Sequence, residues 1–157
     1  MTHMTRRRLL VSSASLAAMT PFAAAAQDGP PTIHVVKDTK CGCCTAWVEI
    51  LRNAGFTVTT EAGMGTLLIR HKLENGIPPK MHSCHTAEIA GYMIEGHVPP
   101  ADIRRLLAEQ PDAIGLAVPG MPYGSPGMGP ENEREAYDVF LIRKAGSTEV
   151  FSSYQAA

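Results

Sequence analysis

The pattern of apolar and polar residues along the chain predicts alternating short strands and helices. A mostly apolar run predicts a first strand over residues 32–37. Apolar side chains at helical spacing predict a helix over residues 45–53, which Gly55 ends. Phe56, Val58 and the threonines around them predict a second strand. The folded part of the chain therefore begins with a β-α-β unit.

The middle of the chain continues the same alternation. A second helix is predicted over about residues 66–73, and it ends near residues 75–76, Asn-Gly. Residues 86–90 and 92–95 have strand-like composition and flank Gly91, which predicts a β-hairpin. Two more strands and one more helix are thus expected before the C-terminal third.

The C-terminal third contains a helix, a long loop and a final hairpin. The helix is expected to begin at residues 99–100, Pro-Pro, because the second proline fits a first helical turn. Residues 119–130 contain four Gly and four Pro, which excludes a regular element and predicts a long loop. Residues 137–142 and 149–151 form the hairpin around Gly146. The predicted order is β-α-β-α-β-β-α, then a loop and β-β, in a mixed sheet flanked by helices.

The N-terminus has the features of an export signal. Three arginines at residues 6–8 precede an apolar, Ala-rich run, and residues 24–26 are small side chains suited to cleavage. The run is too short for a membrane-spanning helix. Paired arginines before two leucines favour the twin-arginine route over the ordinary secretory route. We therefore predict a signal over residues 1–26 and a single domain over residues 27–157, located in the periplasm with no membrane anchor.

Composition narrows the function classes. Hydrophobic residues make up 45% of the chain and charged residues 18%, which suits a globular core. The signal holds three of the 14 basic residues and no acidic one, so the remainder has 11 basic and 15 acidic residues, a net charge of −4. This charge argues against nucleic acid or an anionic membrane as partner. Exported cysteines form disulfides, bind metal or are kept reduced.

Three cysteines, Cys41, Cys43 and Cys44, lie between the first strand and the first helix. The Cys-x-x-Cys spacing after the first strand of a β-α-β unit is typical of a thioredoxin-like fold. A first helical turn carries unpaired N–H groups and partial positive charge, which lowers thiol pKa values, and Lys40 adds to this effect. The thiolate both binds metals and attacks disulfides, so the position alone does not choose between these roles.

The remaining cysteine context favours metal binding. Cys43 is a third thiol that a dithiol enzyme does not need, and it cannot pair with the adjacent Cys44 without strain. Cys84 lies between His82 and His85. In a thioredoxin-like fold the segment before the third strand faces the helix start, so Cys84 can complete a cluster of four sulfurs.

Methionines and histidines extend this soft donor set. Met121 and Met128 lie in the Gly/Pro loop, and thioether sulfur suits monovalent copper but is little used by zinc. His85 or His97 can serve either oxidation state of copper. Met81 is equally compatible with packing and with metal binding.

Other residues of the same types have ordinary explanations. Met64 and Met93 are expected in the core. His34, on the first strand, and His71, on the second helix, are expected at the surface or its boundary.

Three other functions stay open at this point. One is a module stapled by two disulfides, Cys41–Cys44 and Cys43–Cys84, whose partner binds the Gly/Pro loop. A second is a structural zinc site, although paired Cys-x-x-Cys motifs are missing. The third is a thiol–disulfide oxidoreductase that uses Cys41 and Cys44. In such enzymes a proline directly precedes the third strand, whereas residues 78–79, Pro-Pro, come several positions too early.

Four ordered motifs also carry a family resemblance. They lie at residues 41–44 (Cys-Gly-Cys-Cys), 83–87 (Ser-Cys-His-Thr-Ala), 91–99 (Gly-Tyr-Met-Ile-Glu-Gly-His-Val-Pro) and 115–128 (Gly-Leu-Ala-Val-Pro-Gly-Met-Pro, then Gly-Ser-Pro-Gly-Met after one residue). Together they resemble the CopG-like periplasmic copper-binding proteins, over about residues 33–151.

The resemblance implies a thioredoxin-like fold in which the redox pair has become a copper site. It implies a role in copper resistance, with copper redox chemistry or handover to other periplasmic copper-handling proteins. Taken with the donor set, the resemblance leads us to expect a copper-binding protein rather than an enzyme. Its cysteine thiolates would hold Cu(I) as one ion or as a small cluster of several, because sulfurs this close can bridge ions. The ligands and supporting groups that the resemblance implies are Cys41, Cys43, Cys44, Cys84, His85, His97, Met121 and Met128.

Overall fold

The computed structural model describes residues 31–157, and the predicted export signal at residues 1–26 lies outside this part of the chain. Seven strands and three α-helices make up the described part. The strands are β1 (Ile33–Lys37), β2 (Val58–Ala62), β3 (His85–Ile89), β4 (Tyr92–Glu95), β5 (Ala113–Ala117), β6 (Tyr137–Arg143) and β7 (Thr148–Tyr154). The helices are α1 (Gly42–Asn53), α2 (Gly65–Glu74) and α3 (Pro100–Glu109).

All seven strands form one mixed sheet in the order β2-β1-β3-β4-β5-β6-β7. The pairs β1/β2 and β4/β5 are parallel, and the other neighbours are antiparallel. The expected α/β class, the mixed sheet, the long loop and the C-terminal hairpin are therefore confirmed. Because β3 runs beside β1 in the opposite direction, the start of β3 lies next to the end of β1, where the cysteine motif follows.

The two faces of the sheet are covered differently. Ile94, Leu116 and Leu141 point to a large apolar core shared with α1 and α3. Their strand neighbours Met93 and Ala117 point to a smaller cluster on the other face. Alternate strand residues face opposite sides of a sheet. The segment between α2 and β3 contributes to this second cluster through Ile77 and Met81.

Two elements, α1 and β5, differ from the prediction. Helix α1 begins three residues earlier than predicted, because Cys41 caps it and the motif itself forms the first turn. Strand β5 was missed, since Ala-Ile-Gly-Leu-Ala has low strand propensity and little alternation. In α2, the apolar residues do not share one buried face: Leu68 is buried, but Leu67 is 71% exposed and Leu73 is 49% exposed.

The chain reverses tightly between β3 and β4. Ala90 and Gly91 both have positive φ, 50° and 81°, as a two-residue hairpin turn of this hand requires. The turn fixes the register so that Thr86 lies opposite Glu95. This pairing becomes important at the site, because the residues before Thr86 carry Cys84 and His85.

Candidate metal centre

The connection from β1 to α1 presents the three cysteines of the motif. The Lys40 N–H donates to the Asp38 carboxylate over 2.8 Å, and the Cys41 N–H donates to the Asp38 carbonyl over 3.1 Å. The Cys41 sulfur then accepts the N–H of Cys44 over 3.3 Å as the helix cap. Cys44 is buried, whereas Cys41 and Cys43 are half-buried. The turn therefore gathers all three sulfurs at the helix N-terminus.

Cys84 completes a group of four sulfurs. It directly precedes β3, and its Sγ lies 3.8 Å from Cys43 Sγ, which in turn lies 3.4 Å from Cys41 Sγ. All four sulfurs lie within 4.8 Å of one another. The structure thus places Cys84 opposite the motif, as its position before the third strand led us to expect.

Two of these sulfurs are joined. Cys41 and Cys44 form a disulfide, whereas Cys43 and Cys84 are free thiols. Of the two bridges in the stapled-module hypothesis, the first is therefore present and the second is absent. The structure describes the oxidised form of the Cys-x-x-Cys pair.

Cys84 also belongs to a second group of donors, with His85 and His97. Its Sγ lies 3.4 Å from His85 Nδ1 and 3.1 Å from His97 Nε2. These three donor atoms lie within 4.8 Å of one another, and both imidazoles are fully buried. Cys84 is therefore the shared member of a sulfur group and a sulfur–nitrogen group.

The contacts of His97 determine which of its nitrogens is free. His97 Nδ1 lies 2.8 Å from the carbonyl oxygen of Pro126, which can only accept a hydrogen bond. Nδ1 therefore carries the proton, and the Nε2 lone pair is directed at Cys84. Burial lowers the pKa of His97, partly opposed by this hydrogen bond, so the ring stays neutral and can bind a metal ion.

His85 is packed more tightly still. Its ring lies 4.4 Å from the Trp47 ring and 4.9 Å from the His97 ring, measured between centroids. Burial above all, and then the charges of His97 and Lys72, lower its pKa well below the usual value. Within residues 31–157, His85 Nε2 has no hydrogen-bond partner although it is buried. A buried imidazole nitrogen without a partner is unusual in proteins.

The thiol of Cys84 holds its proton firmly in this environment. Burial, followed by the neighbouring Cys43, raises the pKa of Cys84 to about 12. Metal ions bind the thiolate, so a metal that binds here must displace that proton.

The Gly/Pro loop borders the sulfurs at two points. Gly120 donates its N–H to the His82 carbonyl over 3.2 Å, and its own carbonyl accepts the Ser83 hydroxyl. Gly127 packs on α1 so closely that an added Cβ would lie 2.8 Å from the carbonyl oxygen of Cys43. Each loop methionine comes directly after one of these glycines in the sequence. Met121, after Gly120, is 55% exposed, and Met128, after Gly127, is half-buried.

The other sulfur and imidazole side chains have separate environments. Met81 and Met93 are buried in the smaller core cluster, as expected for Met93. The expectation for Met64 is wrong, because it is 54% exposed beside α2. His34 is half-buried on β1, where it contacts Thr59 and Glu61, as expected for a residue at the boundary of the surface.

Sequence reasoning missed a buried ion pair beside the site. Lys72, from α2, is 2% exposed and contacts the fully buried carboxylate of Glu95, at the end of β4. Glu95 also accepts the Ser83 N–H and the Thr86 hydroxyl, each over 2.5 Å. Glu95 lay inside a motif noted in the sequence, but nothing in its neighbours marked it as buried.

A cleft of about 500 Å³ opens beside the thiols. Its lining includes Leu68, Ile69 and Lys72 of helix α2, together with Cys41 and Cys84. The cleft provides a route from solvent to the two cysteines. Of the helices described, none is long and apolar enough to cross a membrane.

Comparison with known proteins gives a consistent picture. A family model described as "Protein of unknown function, DUF411" matches residues 81–128. Two solved structures, "Copper resistance protein copG- Form 1" and "Form 2", are 41% and 42% identical to the chain. They superpose with TM-scores of 0.75 and 0.73 over 82% and 80% of this chain, and over 100% and 99% of their own lengths. No curated protein matches. At this identity and coverage, the chain belongs to the CopG family of copper resistance proteins.

Proposed function

We propose that the protein binds copper, as Cu(I), through the four cysteines with His85 and His97. The observation that carries this proposal is the position of Cys84, which lies within 4.8 Å of every donor in both groups. Similarity to proteins named for copper resistance supports copper over zinc. We further propose that the exported form acts in the periplasm, where it would limit free copper.

The donor set fits this cargo. Thiolate and imidazole are ligands that copper accepts in its reduced state, and softer sulfur favours Cu(I). Thiolates this close can bridge neighbouring ions, so a small cluster of several ions is compatible with the spacing. Buried neutral imidazoles on one side of Cys84 would complete the coordination without adding charge.

The fold supports a related proposal, that the first half of the chain is thioredoxin-like. Strands β2-β1-β3-β4 lie side by side in that order, and the Cys-x-x-Cys pair starts the helix after β1. In this arrangement the copper donors take the place that a redox pair would have. Strands β5 to β7 extend the sheet beyond this unit.

The disulfide makes copper loading depend on redox state. Reduction of Cys41–Cys44 takes two electrons and two protons and yields two thiols. A dithiol or glutathione-like reductant can supply both. The reduced protein would offer four sulfurs, whereas the oxidised protein offers only Cys43 and Cys84 with the two histidines. Interconversion of Cu(I) and Cu(II) at the site, by exchange of one electron with an external donor or acceptor, is a further proposal, compatible with the mixed donors.

Met121 and Met128 are proposed as rim ligands that admit or release copper. Their loop is attached to the site through Gly120, Pro126 and Gly127. Met-to-Leu changes at both positions should slow copper exchange with a chelator while leaving the number of bound ions unchanged. Unchanged exchange rates would contradict a rim role.

A thiol–disulfide oxidoreductase is the second candidate, because the Cys41–Cys44 disulfide is present. The enzyme would pass two electrons between this pair and a substrate disulfide. Catalytic turnover of a disulfide substrate such as insulin, abolished by Cys41→Ser, would establish it. The nearby Cys43 and Cys84 argue against it, since a free thiol at this distance can intercept the mixed disulfide.

The decisive experiment is an anaerobic Cu(I) titration of the fully reduced protein against a chromophoric chelator, with metal analysis of the product. We expect tight binding in the wild type and a severe loss in Cys84→Ser, which removes a donor from both groups. His97→Ala should weaken binding, whereas the matched control His34→Ala, a half-buried histidine on β1, should not. Equal stoichiometry and affinity in Cys84→Ser and wild type would refute the proposed site.

A further inference from the structure

The buried pair Lys72–Glu95 joins helix α2 to the backbone on both sides of Cys84. Glu95 accepts the N–H of Ser83, which directly precedes Cys84. Lys72 Nζ donates to the carbonyl oxygen of His85, which directly follows it, over 3.1 Å. The pair therefore makes one hydrogen bond to the backbone just before Cys84 and one to the backbone just after it.

The surroundings make these contacts rigid. Lys72 and Glu95 are 2% and 0% exposed, so water cannot replace either partner. A buried carboxylate oxygen without a partner is costly, which favours the contacts that Lys72 and Ser83 both make with the same oxygen of Glu95, Oε1. The third contact, from Thr86 on β3, is made with the other oxygen, Oε2.

Stability alone does not account for a buried ion pair at this place. Burial of two charges gains little over apolar side chains of the same size, because desolvation offsets their attraction. Burial also lowers the pKa of Lys72 in spite of its contact with Glu95. What the hydrogen bonds of this pair do supply is a fixed geometry at the backbone groups that they contact.

We propose that Lys72 and Glu95 are positioning residues that hold the Ser83–His85 backbone, and with it Cys84 and His85, in the geometry that receives copper. The copper part of this inference rests on the proposed function. Groups that orient metal ligands typically change metal affinity 10–100-fold when removed. The pair would act through the backbone, by hydrogen bonds to the peptide groups that carry the donors.

The test compares two double variants that both remove the buried charges. Lys72→Met with Glu95→Leu removes every hydrogen bond of the pair. Lys72→Met with Glu95→Gln keeps an amide oxygen that can still accept the Ser83 N–H. We expect Cu(I) affinity to fall by roughly ten-fold or more in the first variant and to recover most of this loss in the second.

Thr86→Val is the matched control. It removes one hydrogen bond to Glu95 but leaves the Ser83 and His85 contacts in place, so its affinity should stay within about three-fold of wild type. A purely structural role predicts instead that affinity follows thermal stability across all three variants. Affinity that tracks stability in this way would overturn the proposal.

A second measurement does not depend on copper. Hydrogen exchange of the metal-free, disulfide-containing protein should be faster over residues 83–86 in the Leu double variant, with no change in β6 and β7. Unchanged exchange over residues 83–86 would also overturn the proposal.

If wild type binds no copper, the proposed function fails, and the exchange measurement still decides whether the pair holds this backbone segment. If the Leu variant does not fold, the same exchange comparison is made with the Gln variant, where the lost His85 contact predicts a smaller increase at residues 85–86.

Discussion

The two helices that flank the thiols, α1 and α2, contribute to the site in opposite ways. Helix α1 buries Trp47, Val48 and Leu51 in the large core and carries its cysteines at its own N-terminus. Helix α2 buries only Leu68 and Lys72. One helix therefore supplies donors and apolar packing, whereas the other supplies a charged anchor and a cleft wall. A helix with weak amphipathic character can still contribute to a site.

The largest expected effect is on the α1 side. Trp47 is fully buried, its indole N–H donates to the Val98 carbonyl over 2.9 Å, and its ring packs on His85. Trp47→Ala should lower the free energy of unfolding by about 3–5 kcal/mol, from lost packing and the cavity left behind. Urea denaturation of the metal-free protein would measure this.

The matched change on α2 is Leu68→Ala, at its buried apolar residue, which is 8% exposed. The expected loss is about 2 kcal/mol, at the lower end for a buried leucine, because Leu68 lies outside both core clusters. If Leu68→Ala were as costly as Trp47→Ala, the contrast between the helices would be wrong.

The same contrast shows which features of the structure could be predicted from the sequence. Residues of α1, β3, β4 and α3 could be predicted because their signals are local: helical spacing, a hairpin glycine, a proline in a first turn. The position of Cys84 opposite the motif followed from the order of strands. Lys72 could not be found in this way, because a lysine on a mostly polar helix has the pattern of a solvated residue.

Strand β5 was missed for a related reason. It is central in the sheet and buried on both faces, so it shows no alternation of apolar and polar residues. Its Gly115 is required by packing, since an added Cβ would collide with the Met93 carbonyl on β4. Contacts of this kind depend on which strands are neighbours in the sheet, and a local sequence pattern does not predict this.

The next effect concerns the place where the Gly/Pro loop covers α1. Gly127 and Gly55 have nearly the same φ, 88° and 87°, but an added Cβ meets the backbone of Cys43 and Trp47 only at Gly127. Both Gly→Ala changes should cost about 1–2 kcal/mol from the left-handed conformation. Gly127→Ala should cost about 1–3 kcal/mol more, because the loop must move.

Chemical denaturation of both variants separates two costs. The backbone strain is common to both, whereas the close contact with α1 is made only at Gly127. Gly127→Ala should also weaken Cu(I) binding, since the adjacent Pro126 orients His97. Equal stability losses in both variants would mean that the loop yields freely and does not fix the site.

A pH-dependent effect on stability is expected from Lys72 of α2. Burial lowers the pKa of Lys72 below its ordinary 10.5, despite the opposing pull of Glu95. Just below pH 10.5 the unfolded chain therefore holds a proton that the folded chain has lost. Stability from Lys72 rises with pH through this window, with a slope of at most about 1.4 kcal/mol per pH unit, and levels off above it.

The reference for this measurement is the double variant Lys72→Met with Glu95→Gln, in which neither side chain titrates. The difference in unfolding free energy between wild type and this variant should shift in favour of wild type as the pH increases towards 10.5. A difference that shifts the other way would show that the contact with Glu95 outweighs burial and raises the pKa of Lys72.

The smallest effect is expected on the outer face of α2. Leu67 is 71% exposed, so most of its apolar surface is already in contact with water in the folded state. Leu67→Gln should therefore change the free energy of unfolding by no more than about 0.5 kcal/mol, and Cu(I) affinity should not change. The same substitution at Leu68, one residue along, should cost several times more, because there a polar amide would be buried without a partner. A large loss of stability in Leu67→Gln would show that α2 packs through this face as well, and the division of roles between the two helices would then fail.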